Sequence, residues 1–191
     1  MDRYPLKKYP IVGVCGLECG LCPRYHTEGA SRCPGCCGPD FWQKHPACGL
    51  ITCCVKKKGL ETCGQCADGA KCDRMVKLLD SAGSHDSFLS HRPIAANLDF
   101  IRRSGIEEFA RQETEKLELL AYIITNYDDG RSKSFYCTGC QLVPLERLRE
   151  AVKNAEASMT GDSDKKEKAR LVREAISDMA DSLQIDLKLR K

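Results

Sequence analysis

Long hydrophobic runs, histidines and aromatic side chains are all scarce in this chain. None of its uncharged apolar runs approaches the roughly 20 residues that a membrane span requires. The first residues are polar and lead directly into cysteines, unlike the charged and apolar regions of a secretory signal. We therefore expect a cytoplasmic protein that is not inserted in a membrane. Aromatic residues make up only 6% of the 191 residues and there are four histidines, so the acid–base repertoire is small.

Familiar catalytic motifs are absent as well. The chain has no Walker-type phosphate loop, no Gly-x-Gly-x-x-Gly, no Gly-x-Ser-x-Gly and no His-Glu-x-x-His. These absences disfavour an enzyme, although they leave the question open. The formal net charge of +3 is a weak indication of nucleic-acid binding. The sequence identifies no partner; another protein is favoured over nucleic acid.

What the sequence has in excess is cysteine. Twelve of its fourteen cysteines lie in residues 1–72, and only two lie in residues 73–191. This step in composition predicts a cysteine-rich metal-binding region over 1–72 and a helical region over 73–191. A region below about 80 residues with few apolar side chains usually needs disulfides or metal ions to fold.

The spacing of the cysteines favours metal ions over disulfides. Disulfides form in oxidising compartments, whereas the cytoplasm keeps thiols reduced. Cys-x-x-Cys occurs four times, each time with a glycine between the cysteines. This spacing lets two thiolates reach one ion, and four such pairs are a strong signal of metal binding. The pairs are Cys19–Cys22, Cys33–Cys36, Cys63–Cys66 and Cys137–Cys140.

The order of the cysteines resembles that of a known family. Residues 15–25, CGLECGLCPRY, and the cysteines that follow up to Cys72 are similar to a prokaryotic cysteine-rich family of unknown function. Asp129-Gly130-Arg131 and Phe135-Tyr136-Cys137 also resemble the end of that family. The resemblance covers most of the chain and implies zinc sites, but no particular activity. Cys37 and Cys54 fall outside the pattern.

Ten cysteines are therefore the candidate metal ligands, and two more are weaker candidates. Zinc, at two or three ions per chain, is the expected metal because thiolates and tetrahedral ligation suit it. A [4Fe–4S] cluster is the alternative. The ten candidates are Cys15, Cys19, Cys22, Cys33, Cys36, Cys48, Cys53, Cys63, Cys66 and Cys72, and the weaker two are Cys137 and Cys140.

The sequence does not fix which cysteines share an ion. Cys33–Cys36 could join Cys63–Cys66, or the trio at 15, 19 and 22 could join Cys48, Cys53 or Cys72. The spacing of that trio is also found in radical S-adenosylmethionine enzymes. Those enzymes need alternating strands and helices after the motif, which this chain does not show.

The expected fold is mainly α-helical, with an irregular cysteine-rich part built on zinc knuckles and packed against the helices. Apolar periodicity predicts helices over 94–103 and 106–127, with shorter ones after 72, after Pro144 and before 183. A few short strands are also expected. Residues 134–136 are predicted as a strand that leads into a Cys137–Cys140 knuckle, and residues 183–189 as a strand end or a docked extended tail.

Three functions fit these patterns. The first is a zinc-stabilised binding or adaptor module, whose four-cysteine sites would leave no position open for substrate. The second is an iron–sulfur protein for electron transfer or sensing. The third is an enzyme with a three-cysteine metal site and an exchangeable fourth position.

Overall fold

The structure, a computed structural model, describes residues 4–82, 84–160 and 163–190. These residues form eight α-helices and no β-strand, so the fold is mainly α-helical as predicted. No helix among them is both long enough and apolar enough to cross a membrane. The helices are α1 (Phe41–Lys44), α2 (Gly49–Ile51), α3 (Asp73–Ala82), α4 (Ile94–Ser104), α5 (Ile106–Tyr127), α6 (Lys133–Leu142), α7 (Leu145–Ser158) and α8 (Lys165–Ser182).

The long helix α5 has the bounds that its apolar pattern predicts. Its buried residues include Ile106, Phe109, Leu120 and Ile123, which recur at helical spacing and form one apolar face. Gly105 separates α4 from α5 with a φ of 89°, a value that favours glycine. The predicted helix over 94–103 is also confirmed, as α4.

The prediction of a strand at 134–136 was wrong, because these residues belong to α6. Asp129 orders the turn before the helix, since its Oδ1 accepts the backbone N–H groups of Arg131 and Ser132, each at 3.0 Å. All six residues from 136 to 141 are buried. A helix buried on nearly every side shows no polar face in its sequence. The pair Cys137 and Cys140 therefore lies within a buried helix, not between a strand and a helix.

The segment after α8 is an extended tail docked on the loop at 84–93, which was one of the two predicted alternatives. The guanidinium of Arg92 donates to the backbone carbonyls of Asp186 at 2.6 Å and Lys188 at 3.1 Å. Arg190 pairs with the fully buried carboxylate of Asp86 at 2.8 Å. The tail thus ties the end of the chain to the loop before α4.

Apolar side chains of the cysteine-rich part are buried in the same clusters as those of the helices. Leu21 lies in the largest cluster, with Leu120 of α5 and Ile176 of α8. Val12 is fully buried against Ile101 and other side chains of α4 and α5. The division of the chain at residue 72 remains a prediction from composition. The turns that carry the cysteines are held in position because they pack against α4, α5 and α6.

Candidate metal centre

Three cysteine-bearing loops are attached to one central segment, residues 10–14. The backbone N–H groups of Gly20, Cys36 and Cys63 donate to carbonyls of this segment at 2.8, 2.7 and 2.8 Å. Val12 and Val14 at its core are almost completely buried. Since each loop carries cysteines, this segment brings thiols that are up to about fifty residues apart in sequence into one region.

Two of the four Cys-x-x-Cys pairs form the same kind of tight 3₁₀ turn. The N–H of Cys22 donates to the carbonyl of Cys19 at 3.3 Å, and that of Cys66 donates to the carbonyl of Cys63 at 3.1 Å. The Thr62 hydroxyl caps the second turn by accepting a backbone N–H at 2.9 Å. These turns fix the backbone between the paired cysteines, which limits the positions of their thiols.

The clearest group of thiols lines a cavity of about 150 Å³, which we call the five-cysteine pocket. Leu50 and Met75 contribute apolar walls. A π-helix over Thr52–Lys57 supplies two neighbouring cysteines, and π-helical turns are rare and often lie at functional sites. The five cysteines are Cys53, Cys54, Cys63, Cys66 and Cys72.

Lys58 lies at the edge of this pocket and contacts one of its thiols. Its Nζ is 3.1 Å from Cys66 Sγ and 2.6 Å from Asp68 Oδ2. The hydrogen bond to Asp68 and then the one to Cys66 raise the pKa of Lys58. Lys58 thus places a positive charge directly beside a thiol that lines the pocket.

A second group comprises Cys15, Cys19, Cys36 and Cys48. Burial, together with nearby Cys36 and Cys48, raises the pKa of Cys15 to about 12. Burial and the proximity of Cys36 and Cys15 likewise raise the pKa of Cys19. The thiol of Cys37 donates a hydrogen bond that lowers the pKa of Cys36. Neutral thiols are therefore favoured at Cys15 and Cys19 until a cation compensates their charge.

One buried cation lies among these thiols. Lys7 is 7% exposed, and its ammonium donates to the carbonyl of Val12. Nothing in the sequence singles out this lysine, because its burial depends on the fold. Its positive charge favours the thiolate form of the surrounding cysteines Cys19, Cys36, Cys37, Cys54 and Cys63.

The remaining candidate ligands lie where the first loop meets α6. The thiol of Cys22 is near Cys33, and Cys33 Sγ is 3.2 Å from His45 Nε2. Burial raises the pKa of Cys137 to about 12, with a further contribution from nearby Cys22. Cys140 is fully buried one turn further along α6. The structure thus places Cys33 and Cys36 in different groups. This differs from the predicted alternative in which Cys33 and Cys36 share one ion with Cys63 and Cys66.

A buried group of charges fixes the loop between Cys15 and Cys19 onto α5. Lys116 Nζ lies 2.6 Å from Glu18 Oε1 and 3.0 Å from Glu113 Oε1. That Glu113 oxygen is at ion-pair distance but accepts no well-aligned hydrogen bond, and neither does Glu18 Oε2. Burial and the neighbouring Glu18 raise the pKa of Glu113 to about 8. Burial thus favours the protonated form of Glu113, and one ammonium serves both carboxyl groups.

All fourteen cysteines are free thiols. Within residues 4–82, 84–160 and 163–190, no three His, Cys, Asp or Glu side chains converge closely enough to hold a metal ion. The thiols are neighbours rather than completed ligand sets. Together, fold and site define a mainly helical protein with grouped free cysteines. Comparison of the chain with known protein families, curated proteins and solved structures found no match.

Proposed function

We propose that the protein binds zinc through its cysteine-rich part, and that the metal holds this part in shape as a binding or adaptor module. The observation that carries the proposal is the five-cysteine pocket, where thiols from three consecutive turns line one small cavity. Thiolates are the preferred ligands of zinc in structural sites. The cytoplasm, a reducing compartment, would keep such thiols available.

The proposed ligands at this pocket are the four cysteines that follow the family-like order. A structural zinc site takes four ligands in a tetrahedron. Cys54 is then the spare thiol, and its hydrogen bond with Cys63 holds it beside the set. The four ligands are Cys53, Cys63, Cys66 and Cys72, arranged as zinc knuckles. Cys15, Cys19, Cys36 and Cys48 would form a second site of the same kind.

The adaptor role draws support from the surface beside the pocket. Met75 forms part of the pocket wall, and α3 exposes both the next residue, Val76, and Leu79, about one turn after Met75. Large apolar side chains exposed on neighbouring turns of a helix are more typical of protein contacts than of a fully solvated helix. Closed four-thiolate sites also provide no open position for a substrate. We therefore favour a structural role for the metal over a catalytic one.

Elemental analysis tests the proposal directly. After anaerobic purification without added metal, we expect at least two zinc ions per chain and no visible absorption band. In the pocket, Cys72→Ser should lose one ion, whereas Cys54→Ser, the matched control, should keep all of them. A chain without metal would contradict the proposal. Iron with sulfide and a broad visible band would instead support the iron–sulfur alternative.

Lys7 provides a second prediction. Replacing Lys7 by Met keeps the apolar stem but removes the buried charge that favours the surrounding thiolates. We expect zinc to bind about tenfold more weakly, which corresponds to about 1.4 kcal/mol. Competition with a chelator of known affinity measures the change. Lys8, which is exposed, provides the control, and an equal loss in Lys8→Met would show that the buried position of Lys7 is irrelevant.

A further inference from the structure

We propose that single-stranded nucleic acid binds to a surface where cations and aromatic rings lie together around the loop at 24–33. The inference rests on the proposed function, because it names one partner of the binding module. The surface is separate from the five-cysteine pocket. We call it the basic–aromatic surface, and it comprises Arg24, Tyr25, Arg32, Lys44, Phe88 and Lys133.

Backbone carbonyls of the loop hold the cations of this surface together. The carbonyl of Tyr25 accepts the guanidinium N–H of Arg32 at 3.2 Å, and the carbonyl of Arg32 accepts the ammonium of Lys44 at 2.6 Å. The carbonyl of His26 accepts the ammonium of Lys133, the first residue of α6, at 3.3 Å. Cations from the loop, from α1 and from α6 are thus gathered at one place, although they are far apart in sequence.

Two guanidinium groups of this surface lie over aromatic rings. Arg24 Cζ is 5.7 Å from the centroid of the Phe88 ring, and Arg32 Cζ is 5.4 Å from that of the Tyr25 ring. The two arginines are neighbours, because the N–H of Cys33 donates to the carbonyl of Arg24 at 2.9 Å. Phe88 is 55% exposed. Exposed rings beside guanidinium groups offer flat surfaces on which nucleic-acid bases can stack.

The four cations of this surface form no ion pair with a carboxylate within the part of the chain that the structure describes. By contrast, Arg170 of α8 pairs with both Glu167 and Glu174. The loop at 24–33 itself carries two arginines and one acidic residue, Glu28. Positive charge is therefore left available for an anionic partner.

Two neighbouring histidines reflect this positive charge. Burial lowers the pKa of His26, and the charges of Lys133 and Arg32 lower it as well. Burial also lowers the pKa of His45, and the charge of Arg24 contributes to that shift. The cations are thus close enough for their charges to act on common neighbours.

A single strand of nucleic acid supplies both features that this surface can recognise. Its phosphates carry negative charge for the four cations, and its unpaired bases expose flat faces for the rings. An acidic protein segment would pair with the cations but would leave the exposed Phe88 ring without a stacking partner. In a duplex the bases stack on one another, so their faces are not free for Phe88 or Tyr25. These differences favour a single strand.

Fluorescence anisotropy tests the proposal on the full chain, with labelled oligothymidine of about twelve nucleotides as the probe. Each phosphate that a cation neutralises contributes about −0.7 to the slope of log K against log salt, so four cations predict a slope of about −3. Arg24→Gln and Lys44→Gln should each weaken binding and bring the slope about 0.7 closer to zero. The matched control is Arg170→Gln, which should leave the Kd and the slope unchanged because carboxylates already hold that arginine.

Phe88→Ser separates stacking from charge. We expect this variant to bind the strand about tenfold more weakly, within the usual contribution of one stacked base, and with the same salt slope. Tyr122→Ser, which removes another exposed aromatic ring from α5, is the control and should bind as the wild type does. Circular dichroism checks that each variant folds. Binding by Phe88→Ser as tight as that of the wild type would show that the ring does not stack on a base, and would contradict the proposal.

The remaining outcomes also decide the question. The inference is overturned if the wild type does not bind the strand, or if the same strand annealed to its complement binds as tightly. An oligoglutamate peptide that competes as strongly as oligothymidine would assign the surface to an acidic protein segment instead. Elemental analysis of the same sample keeps the two proposals distinguishable. A chain that holds zinc but does not bind the strand contradicts this inference alone, whereas a chain that binds the strand without zinc contradicts only the zinc sites.

Discussion

Removing the proposed zinc with a chelator, under reducing conditions, is expected to unfold residues 4–72 while α7 and α8 remain helical. Structural zinc supplies about 10–16 kcal/mol of apparent free energy to small metal-dependent folds. That is as large as the whole stability of a typical domain, about 5–15 kcal/mol. A cysteine-rich part that depends on the metal therefore should not survive its removal.

The unequal apolar clusters explain why unfolding should be confined to one part of the chain. The cluster around Cys36 has seven buried residues, two of which are cysteines. The cluster formed mainly by α5 to α8 has sixteen, and only Leu21 comes from the cysteine-rich part. The helices can thus keep most of their core when the first 72 residues unfold, whereas the converse does not hold.

Hydrogen exchange with residue resolution measures this prediction. After chelation, amide protection should fall at Gly20, Cys36 and Cys63, whose N–H groups bind the central segment. Protection should persist in α7 and α8. Returning zinc should restore the lost protection. Unchanged protection at these three amides in a chain shown to be free of metal would mean that packing alone holds the cysteine-rich part together.

The helices that were predicted well are those with one buried and one exposed face. In α5, Leu120 and Ile123 are buried whereas Tyr122 between them is exposed, so the period is visible in the sequence. In α6, residues 136–141 are all buried, and the sequence suggested a strand over 134–136 followed by a Cys137–Cys140 knuckle instead. Tertiary burial, which a single sequence does not record, decided that segment.

The grouping of the cysteines was not predictable from their spacing for a similar reason. Gly35 adopts a φ of 83°, and a Cβ at this position would lie 2.4 Å from the carbonyl oxygen of Pro10. This close approach carries Cys36 to the central segment, while Cys33 stays beside Cys22 and His45. Two cysteines three residues apart thus belong to different groups. Their separation depends on a contact with a distant residue, as does the burial of Lys7.

The second prediction with a large expected effect concerns Lys116, whose ion pair with Glu18 connects α5 to the cysteine-rich part. We expect Lys116→Met to lower the free energy of unfolding by about 3–5 kcal/mol, the usual cost of breaking a buried ion pair from one side. The variant leaves Glu18 and Glu113, which are 1% and 2% exposed, without their shared cation. Urea unfolding at pH 7, with the metal content held equal, measures the change.

Arg111 and Glu113 provide the controls for Lys116. Arg111 pairs with Glu108 and Glu115 on the exposed side of α5, so Arg111→Met should cost only about 0–1 kcal/mol. Adding Glu113→Gln to Lys116→Met should restore little of the loss, because burial already favours the protonated form of Glu113 at pH 7 and the 2.6 Å ion pair that is lost is the one with Glu18. A loss in Lys116→Met no larger than that in Arg111→Met would show that the two buried carboxyl groups do not need the lysine.

The pH dependence gives an independent test of the same charges. Burial and Glu18 raise the pKa of Glu113 from 4.5 to about 8 in the folded chain. Between pH 4.5 and about 8, the folded chain binds one more proton at this carboxyl group than the unfolded chain does. The free energy of unfolding therefore falls as the pH rises, by at most about 1.4 kcal/mol per pH unit. The stability of Glu113→Gln should fall less steeply over that range than that of the wild type. Parallel slopes would mean that Glu113 is already ionised, and Lys116 would then compensate two full charges instead of one.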